Sequence, residues 1–161
     1  MDETNVTEGV LNFQSKEEYD ESAPSFTPFP ADMYVVEVIE ADLVEQLKYQ
    51  STEMAMFLKL RFTVQSLASG QTLVDLDGKT IEAGNRMLFT DLNTESLGFK
   101  RNGDPSKARA CIAAILGYEP TDKFVLKDVA DLEGKKCRVM VDVYTNQKGN
   151  KGNKIAKFLK A

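Results

Sequence analysis

The segment KCRVMVDVYTNQKGNKGNKIAKFLK, residues 136–160, decides the fold, because two strand patterns flank a loop built almost only from Lys, Gly and Asn. Residues 136–145 alternate with the two-residue period of a half-buried strand. One side carries Cys137, Val139, Val141 and Val143, and the other carries Arg138, Met140, Asp142 and Tyr144. A short apolar strand follows at residues 155–159. The segment therefore predicts an antiparallel hairpin at the end of a β-rich domain.

This hairpin is strongly basic. Residues 135–161 carry eight Lys or Arg and one Asp, a net charge of +7. Long cationic side chains on a glycine-rich loop, beside an outward Tyr, suit a negatively charged chain such as a nucleic-acid backbone. The predicted contact residues are Arg138, Tyr144, Lys148, Lys151 and Lys154. The alternative is a solubilising hairpin, because Lys also protects sheet edges from pairing with other chains.

Charge is segregated along the chain. Residues 1–45 have a net charge of −11 and residues 46–161 have a net charge of +6, which sum to −5. We therefore predict an acidic flexible arm at residues 1–25, with a short helical turn near residues 15–19, and one mildly basic domain at residues 26–161. The arm would either compete with nucleic acid for the basic surface or serve solubility.

The sequence lacks the residues that several kinds of chemistry require. The 161-residue chain has no His, neither of its two Cys lies in a Cys-x-x-Cys pair, and no glycine-rich phosphate loop occurs. We therefore expect no enzyme activity, no catalytic residues and no cofactor. The string Asp75-Leu76-Asp77-Gly78, with Glu82 nearby, is interpreted as a turn rather than a metal site, because the other spaced ligands of a calcium loop are missing.

The N-terminus lacks the basic and then apolar pattern of a signal peptide, and no stretch is apolar enough to span a bilayer. We expect no membrane partner and a cytoplasmic protein, in the host cell if the chain is phage-encoded. Two cysteines suggest no disulfide framework. Cys111 falls on the apolar stripe of a predicted helix, so it is interpreted as a core residue rather than a nucleophile.

Residues 55–67 give the strongest strand signal. The predicted core face carries Met56, Leu58, Leu60, Phe62 and Val64, and the outer face carries Phe57, Lys59, Arg61, Thr63 and Gln65. An aromatic side chain followed by two cations suits a nucleic-acid platform, in which Phe57 stacks on a base while Lys59 and Arg61 meet phosphates. The alternative is a solvated sheet face with one stray Phe.

A second aromatic and basic cluster lies at Phe99-Lys100-Arg101, on a loop flanked by glycines. It could also grip a nucleic-acid strand, although such loops are often merely solvated. The loop precedes the one predicted helix, residues 104–117, in which Asp104 caps and Pro105 takes the first helical position. The buried stripe comprises Ala108, Cys111, Ile112, Ile115 and Leu116, and Gly117 ends the helix.

Five to seven short strands with one helix before the last two strands predict a mainly β fold, similar to the five-stranded antiparallel oligonucleotide-binding (OB) barrel. Nucleic acid crosses the second and third strands of such barrels and the loops between strands one and two and strands four and five. The corresponding features here are the Phe57-Lys59-Arg61 face and the loop from Lys148 to Lys151. A β-sandwich is the rival fold.

The chain resembles phage-encoded single-stranded DNA-binding proteins, including small phage proteins of uncharacterised function. The resemblance covers roughly residues 28–161 and lies in PFPADMYVV (28–36), MFLKLRFTV (56–64), LEGK (132–135), KGN (148–150) and NKI (153–155). It implies an OB-fold protein that acts in phage DNA replication or recombination, with phage proteins of those processes as partners. Many such proteins end in an acidic tail, whereas this chain ends in KFLKA (157–161) and is acidic at its start.

The leading hypothesis is therefore a sequence-tolerant, non-enzymatic binder of single-stranded DNA. The second is a protein-interaction or virion accessory barrel without nucleic-acid binding. The third, a nuclease that holds magnesium through Asp75, Asp77, Glu82 or Asp91, is disfavoured because these carboxylates straddle turns without evident convergence.

Overall fold

The computed structural model describes residues 27–95 and 97–161, together with the backbone of residues 4–7 and 10–13. That backbone forms two antiparallel strands, β1 (Thr4–Thr7) and β2 (Val10–Phe13), which the sequence did not predict within the acidic arm. The predicted helical turn at residues 15–19 and the remainder of the arm lie outside the described residues.

The body of the protein is one antiparallel sheet with the strand order β5-β4-β3-β6-β7. Its strands are β3 (Asp32–Leu47), β4 (Met54–Leu67), β5 (Met87–Asn93), β6 (Lys136–Thr145) and β7 (Lys151–Lys160). The helix α1 (Lys107–Leu116) and a 3₁₀ turn (Val129–Leu132) lie between β5 and β6. The mainly β fold, with five antiparallel strands and one helix inserted before the last two, is confirmed.

The sheet curls but stays open along one side. The edge strands β5 and β7 approach each other, and residues of both line one groove. Among the described strands, however, no hydrogen-bonded ladder joins these two edges. The architecture agrees with a partly open barrel of the OB type, and the open side is called the seam below.

Strand β3 is longer than the sequence predicted. The sequence pattern predicts a strand at residues 34–43 and a loop or short helix in the polar stretch at residues 44–53. In the structure β3 spans Asp32–Leu47, and only residues 48–53 form the connection to β4. The physical reason is tertiary pairing. The polar residues Glu45 and Gln46 lie opposite Met56 and Ala55 of β4, which holds them in an extended conformation that local composition does not favour.

The buried core follows the predicted alternation. On β4, Leu58, Leu60, Phe62 and Val64 are buried, and on β6, Cys137, Val139 and Val141 are buried. The assignment of Met56 to the core is wrong, because β4 pairs with β5 only as far as Phe57 and Met56 lies beyond this limit in an exposed part of the sheet. Phe158 of β7 packs near Phe62, with ring centroids 6.3 Å apart, and ties the last strand to the core.

Burial also keeps three weak acids neutral. It raises the pKa of Tyr34 to about 12, and the Tyr34 hydroxyl donates a hydrogen bond to the Pro30 carbonyl at 2.7 Å. Burial raises the pKa of the Cys137 thiol to about 12 and that of Cys111 well above its usual range. Since nucleophilic cysteines need an accessible thiolate, the interpretation of Cys111 as a core residue is confirmed.

The helix begins later than predicted. Ser106 is the N-cap, and its hydroxyl accepts a hydrogen bond from the Arg109 backbone N–H at 3.1 Å. The assignment of the cap to Asp104 is wrong, because Pro105 pairs with Phe99 in an isolated β-bridge and so stays outside the helix. Gly117 ends α1 with φ of +85°, as predicted. Among the described residues, no helix is both long and apolar enough to cross a membrane.

Arg109 of α1 joins the loop before this helix and the loop after it to the body of the protein. Its guanidinium donates hydrogen bonds to the carbonyl oxygens of Pro120 at 2.5 Å, Asp122 at 2.7 Å and Leu97 at 3.3 Å. The same group lies over the rings of Phe99, at 4.6 Å, and Phe124, at 5.2 Å. A planar fork with several donors suits this role, and a lysine ammonium could not reproduce it.

We predict that Arg109→Ala lowers the free energy of unfolding by about 2 kcal/mol, because the guanidinium is charged and its carbonyl partners would lose their donor. Arg109→Lys should recover little of this loss. Urea unfolding followed by circular dichroism measures both, and Lys123→Ala, an exposed cation in the same region, should change stability by less than about 0.5 kcal/mol. Full stability in Arg109→Lys would show that only the charge matters.

Candidate nucleic-acid interface

The outer face of β4 carries the predicted residues, but its charges are already paired. Phe57, Lys59 and Arg61 lie on the face opposite Leu58 and Leu60, as the alternation predicted. Lys59 Nζ lies 3.5 Å from Asp91 Oδ2 of β5. Arg61 donates a hydrogen bond to Glu40 of β3. The pairs follow from the strand register, because Lys59 is opposite Asp91 and Arg61 is opposite Glu40.

These pairs form a cross-strand ladder of alternating charge. Asp42 adds a third carboxylate, since it lies opposite Lys59 on the β3 side. Two cations therefore face three carboxylates across β3, β4 and β5. Exposed pairs of this kind contribute little to stability, but they neutralise the surface locally. The β4 face is thus not the cationic platform that the residues Lys59 and Arg61 suggested when considered alone.

Phe89 is a surface aromatic that the sequence analysis missed. It lies on β5 directly opposite Arg61, and 66% of its surface is exposed. The signal was present in the sequence, because Leu88 and Leu92 alternate as core residues and so direct Phe89 outward. A large exposed aromatic side chain beside a guanidinium on an open sheet face can stack on a planar ligand.

A groove of about 380 Å³ lies at the seam between the start of β5 and the start of β7. Phe89 and Met87 form its β5 side, and Lys151, Gly152 and Asn153 form its β7 side. In this groove Phe89 of the edge strand β5 lies next to the basic hairpin. The alternation of β5 places Met87 and Phe89 on the same outer face, so the apolar side of the groove is continuous.

The wall of the groove is held rigidly. The Phe29 backbone N–H donates to Asn153 Oδ1 at 2.7 Å, and Asn153 Nδ2 donates back to the Phe29 carbonyl at 2.9 Å. The Arg86 guanidinium lies 4.9 Å from the Phe29 ring and donates to the Thr27 carbonyl at 2.8 Å. Burial lowers the pKa of Arg86, and nearby Asp75 opposes this shift. The chain entering the sheet is therefore fixed to the hairpin that leaves it.

The turn of the basic hairpin has a defined structure that determines where its lysines lie. Asn146 Oδ1 accepts hydrogen bonds from the backbone N–H groups of Lys148 and Asn150, both at 2.9 Å, and Gly149 takes φ of +84°. This side-chain acceptor organises the loop without any carboxylate. Within the described ranges, Lys148, Lys151 and Lys154 form no ion pair. Lys154 lies opposite Asp142, whereas Lys151 lies opposite Thr145, so the charges of Lys148 and Lys151 remain available to a bound anion.

Tyr144 lies flat across the hairpin. It is directly opposite Gly152 on β7, and a Cβ atom at Gly152 would lie 2.7 Å from the Tyr144 hydroxyl oxygen. The ring therefore occupies the space that a side chain on residue 152 would fill. About 45% of Tyr144 stays exposed, beside the groove that Gly152 lines. The prediction that Tyr144 faces outward is confirmed.

The other residues predicted to contact nucleic acid lie away from the groove and from Tyr144. Phe57 lies opposite Asn93, four positions along β4 from Arg61 and at the far end of β5. Phe99 is covered on one face by Arg109, and Lys100 and Arg101 lie on the same loop before α1. Arg138 donates to the Lys160 carbonyl at 2.9 Å, at the end of the β6–β7 pair away from the lysine loop. These residues cannot share one short ligand site with Lys151.

Asp75 builds a turn, as predicted. Its Oδ1 accepts hydrogen bonds from the backbone N–H groups of Asp77 at 2.8 Å and Lys79 at 3.0 Å. Gly78 has φ of +81°, which completes the turn between the bridged residues Val74 and Thr80. Within the part of the chain that the structure describes, no group of three or more Cys, Asp or Glu side chains lies close enough to hold a metal ion.

Comparison of the chain with models of protein families gives no match, and comparison with curated proteins gives none either.

The two aromatic residues of the β4–β5 face should differ in their structural roles. Phe89→Ala should change the free energy of unfolding by less than about 0.5 kcal/mol, because Phe89 is mostly exposed. Phe57→Ala should cost about 1–2 kcal/mol, since Phe57 is half-buried and a fully buried Phe costs about 3–5 kcal/mol. Urea unfolding of both variants at neutral pH measures the difference. A larger loss for Phe89→Ala than for Phe57→Ala would contradict the strand register described here.

Proposed function

We propose that this protein binds single-stranded DNA without strong sequence preference, at the seam between β5 and the β6–β7 hairpin. The observation that carries the proposal is the exposed Phe89, which lines the same open groove as Lys151 and Gly152. Binders of single strands combine aromatic side chains for base stacking with cations that follow the backbone. The seam supplies both, on the side of the fold where OB barrels bind oligonucleotides.

Stacking favours a single strand over a duplex. Bases in a duplex are already stacked and paired, whereas an unpaired base can place its face on Phe89 or Tyr144. Every base has such a face, so recognition by stacking tolerates sequence. Phe89 lines the open groove with 66% of its surface exposed, which leaves room for a planar ring on the side chain beside Arg61.

The charge distribution supports the same location. The ladder of Glu40, Arg61, Lys59 and Asp91 neutralises the middle of the sheet. Among the described residues, Lys148 and Lys151 have no carboxylate partner, and Lys154 lies opposite Asp142 without forming an ion pair. A phosphate backbone would therefore lie along the hairpin rather than across β4. Together with the resemblance to phage-encoded single-stranded DNA-binding proteins, these features lead us to propose a role in phage DNA replication or recombination, in the host cytoplasm and without enzyme activity.

The second candidate is a protein-interaction or accessory role. The observation that favours it is the same neutral ladder, which limits the basic surface to one hairpin that an acidic protein segment could also bind. Retention on single-stranded DNA at low salt distinguishes the two candidates, because a protein-interaction or accessory role predicts no retention.

We expect tighter binding to a fluorescein-labelled oligothymidine than to a duplex of equal length, measured by fluorescence anisotropy at several salt concentrations. If about 3–5 phosphates are neutralised, log affinity should fall with log salt with a slope of about −2 to −3.5. Lys151→Ala should weaken binding and reduce the steepness of this slope by about 0.7, because one phosphate contact is lost.

The matched control is Lys79→Ala, which removes an exposed lysine of the Asp75 turn and should leave the slope unchanged. Equal affinity for duplex, or an affinity that does not respond to salt, would contradict the proposal. A loss of equal size in Lys79→Ala and Lys151→Ala would show that net charge alone drives binding, with no localised site.

A further inference from the structure

The β3–β4 pair projects beyond the rest of the sheet. On one side, β5 pairs with β4 only as far as Phe57, and on the other, β6 pairs with β3 only between Asp32 and Glu37. Beyond Glu37, β3 is held as far as Ala41 by Glu133, whose carboxylate accepts a hydrogen bond from the Ala41 backbone N–H at 3.1 Å. Residues 42–47 and 54–56 therefore form a two-stranded extension that no other described strand flanks.

The inner face of this extension is apolar and exposed. It continues the face on which Leu58 is buried, since Leu43 lies opposite Leu58 and Leu47 lies opposite Met54. The exposed fractions are 46% for Leu43, 55% for Leu47, 50% for Met54 and 37% for Met56. The inner face of the extension thus continues the face of the sheet that elsewhere covers the core, but the described residues do not cover it.

A second apolar feature lies at the base of the extension. A groove of about 350 Å³ is lined by Leu43 of the extension, by Leu58 at its base, and by Leu97, Ile112, Phe124 and Leu126 from the other side. Arg109 also lines it, but its guanidinium is already bonded to three backbone carbonyls. Val125, one of the most exposed apolar residues, is adjacent in the chain to two of these lining residues. One molecule therefore carries a protruding apolar strand pair and a concave apolar groove on the same continuous surface.

We propose that a second copy of this chain covers this surface, in a two-fold dimer in which each extension packs against the groove of the other copy. A two-fold interface uses the same patch on both subunits, so one patch must supply both complementary shapes. The extension and its groove meet this requirement. This inference goes beyond the proposed DNA-binding function, because the seam lies at the opposite end of β5 from the extension.

The area of the surface fits a dimer. A specific interface buries about 800 Å² per partner, and monomers rarely expose apolar patches above a few hundred Å². The large apolar side chains on the inner face and in the groove that are at least one-third exposed are Leu43, Leu47, Met54, Met56 and Leu97. Their combined exposed surface is of the order of several hundred Å² per copy, which corresponds to the apolar share, somewhat more than half, of an interface of about 800 Å² per partner.

The charge of the surface favours an apolar partner over a charged one. Lys48, at the tip of the extension, contacts Glu53 at 3.1 Å and Glu95 at 2.8 Å, so its charge is already neutralised. These contacts raise the pKa of Lys48 and keep it protonated. On the inner face Glu45 is the one charged residue between Leu43 and Leu47. A surface with so little free charge suits the equally apolar surface of a second copy.

Sedimentation velocity of the full chain without DNA, over a wide range of protein concentration, tests the proposal. We expect a dimer of twice the 17.9 kDa chain mass. The double variant Leu47→Glu/Met54→Lys should be monomeric at the same concentrations, with its dissociation constant raised at least about 100-fold, equivalent to about 2.7 kcal/mol. The two new charges lie directly opposite each other, so the hairpin itself should remain folded.

The control is Leu76→Lys, which adds a charge at an exposed apolar residue in the Asp75 turn and should remain dimeric. Circular dichroism checks that both variants are folded. A monomeric full chain at every concentration would overturn the proposal, as would a double variant that still dimerises. Dimerisation that appears only after removal of residues 1–26 would also overturn it, because the acidic arm would then be the occupant of this surface.

Discussion

The architecture depends on one strand, β3, that must pair with two partners over different parts of its length. Its residues 34–37 lie between β6 and β4, and beyond Glu37 only β4 continues alongside it. The change coincides with an irregular register at Val38, whose backbone N–H bonds to the Lys135 carbonyl and whose carbonyl accepts from Gly134. Because a bulge bends and twists a strand, the two halves of the sheet turn toward each other and bring the edges β5 and β7 together. The seam exists because β3 bends.

The electrostatic character of the outer surface follows from the same register. Strand pairing places Glu40 and Asp42 beside Arg61 and Lys59, so the acidic start of the domain neutralises the basic residues of β4. Strand β7 pairs only with β6, where Asp142 lies opposite Lys154, and the loop before β7 is shaped by Asn146 and Gly149 rather than by a carboxylate. The protein thus limits its uncompensated positive charge to the hairpin at the seam. Net charge would have hidden this arrangement, because the whole chain is acidic at −5.

The sequence predicted the elements whose pattern is local. Alternation in β4 and β6, the buried stripe of α1 and the turn at Asp75 are all set by the spacing of neighbouring residues. Pairing between distant strands is not local, so the carboxylate partners of Lys59 and Arg61 and the full length of β3 could not be predicted. The N-cap was misplaced for the same reason, since Pro105 is held by its bridge to Phe99. Phe89 could have been predicted from Leu88 and Leu92, but its position beside Arg61 and the lysine hairpin required the register.

The central claim is that single-stranded DNA stacks at Phe89, next to the seam, and not at Phe57. The chain contains no Trp, so Phe89→Trp and Phe57→Trp each introduce one fluorophore at a chosen site. Titration of each variant with oligothymidine at low salt measures where a base stacks on the protein. We predict strong quenching of tryptophan emission in Phe89→Trp and little change in Phe57→Trp. Quenching in Phe57→Trp alone, or in neither variant while anisotropy still reports binding, would contradict a stacking site at Phe89.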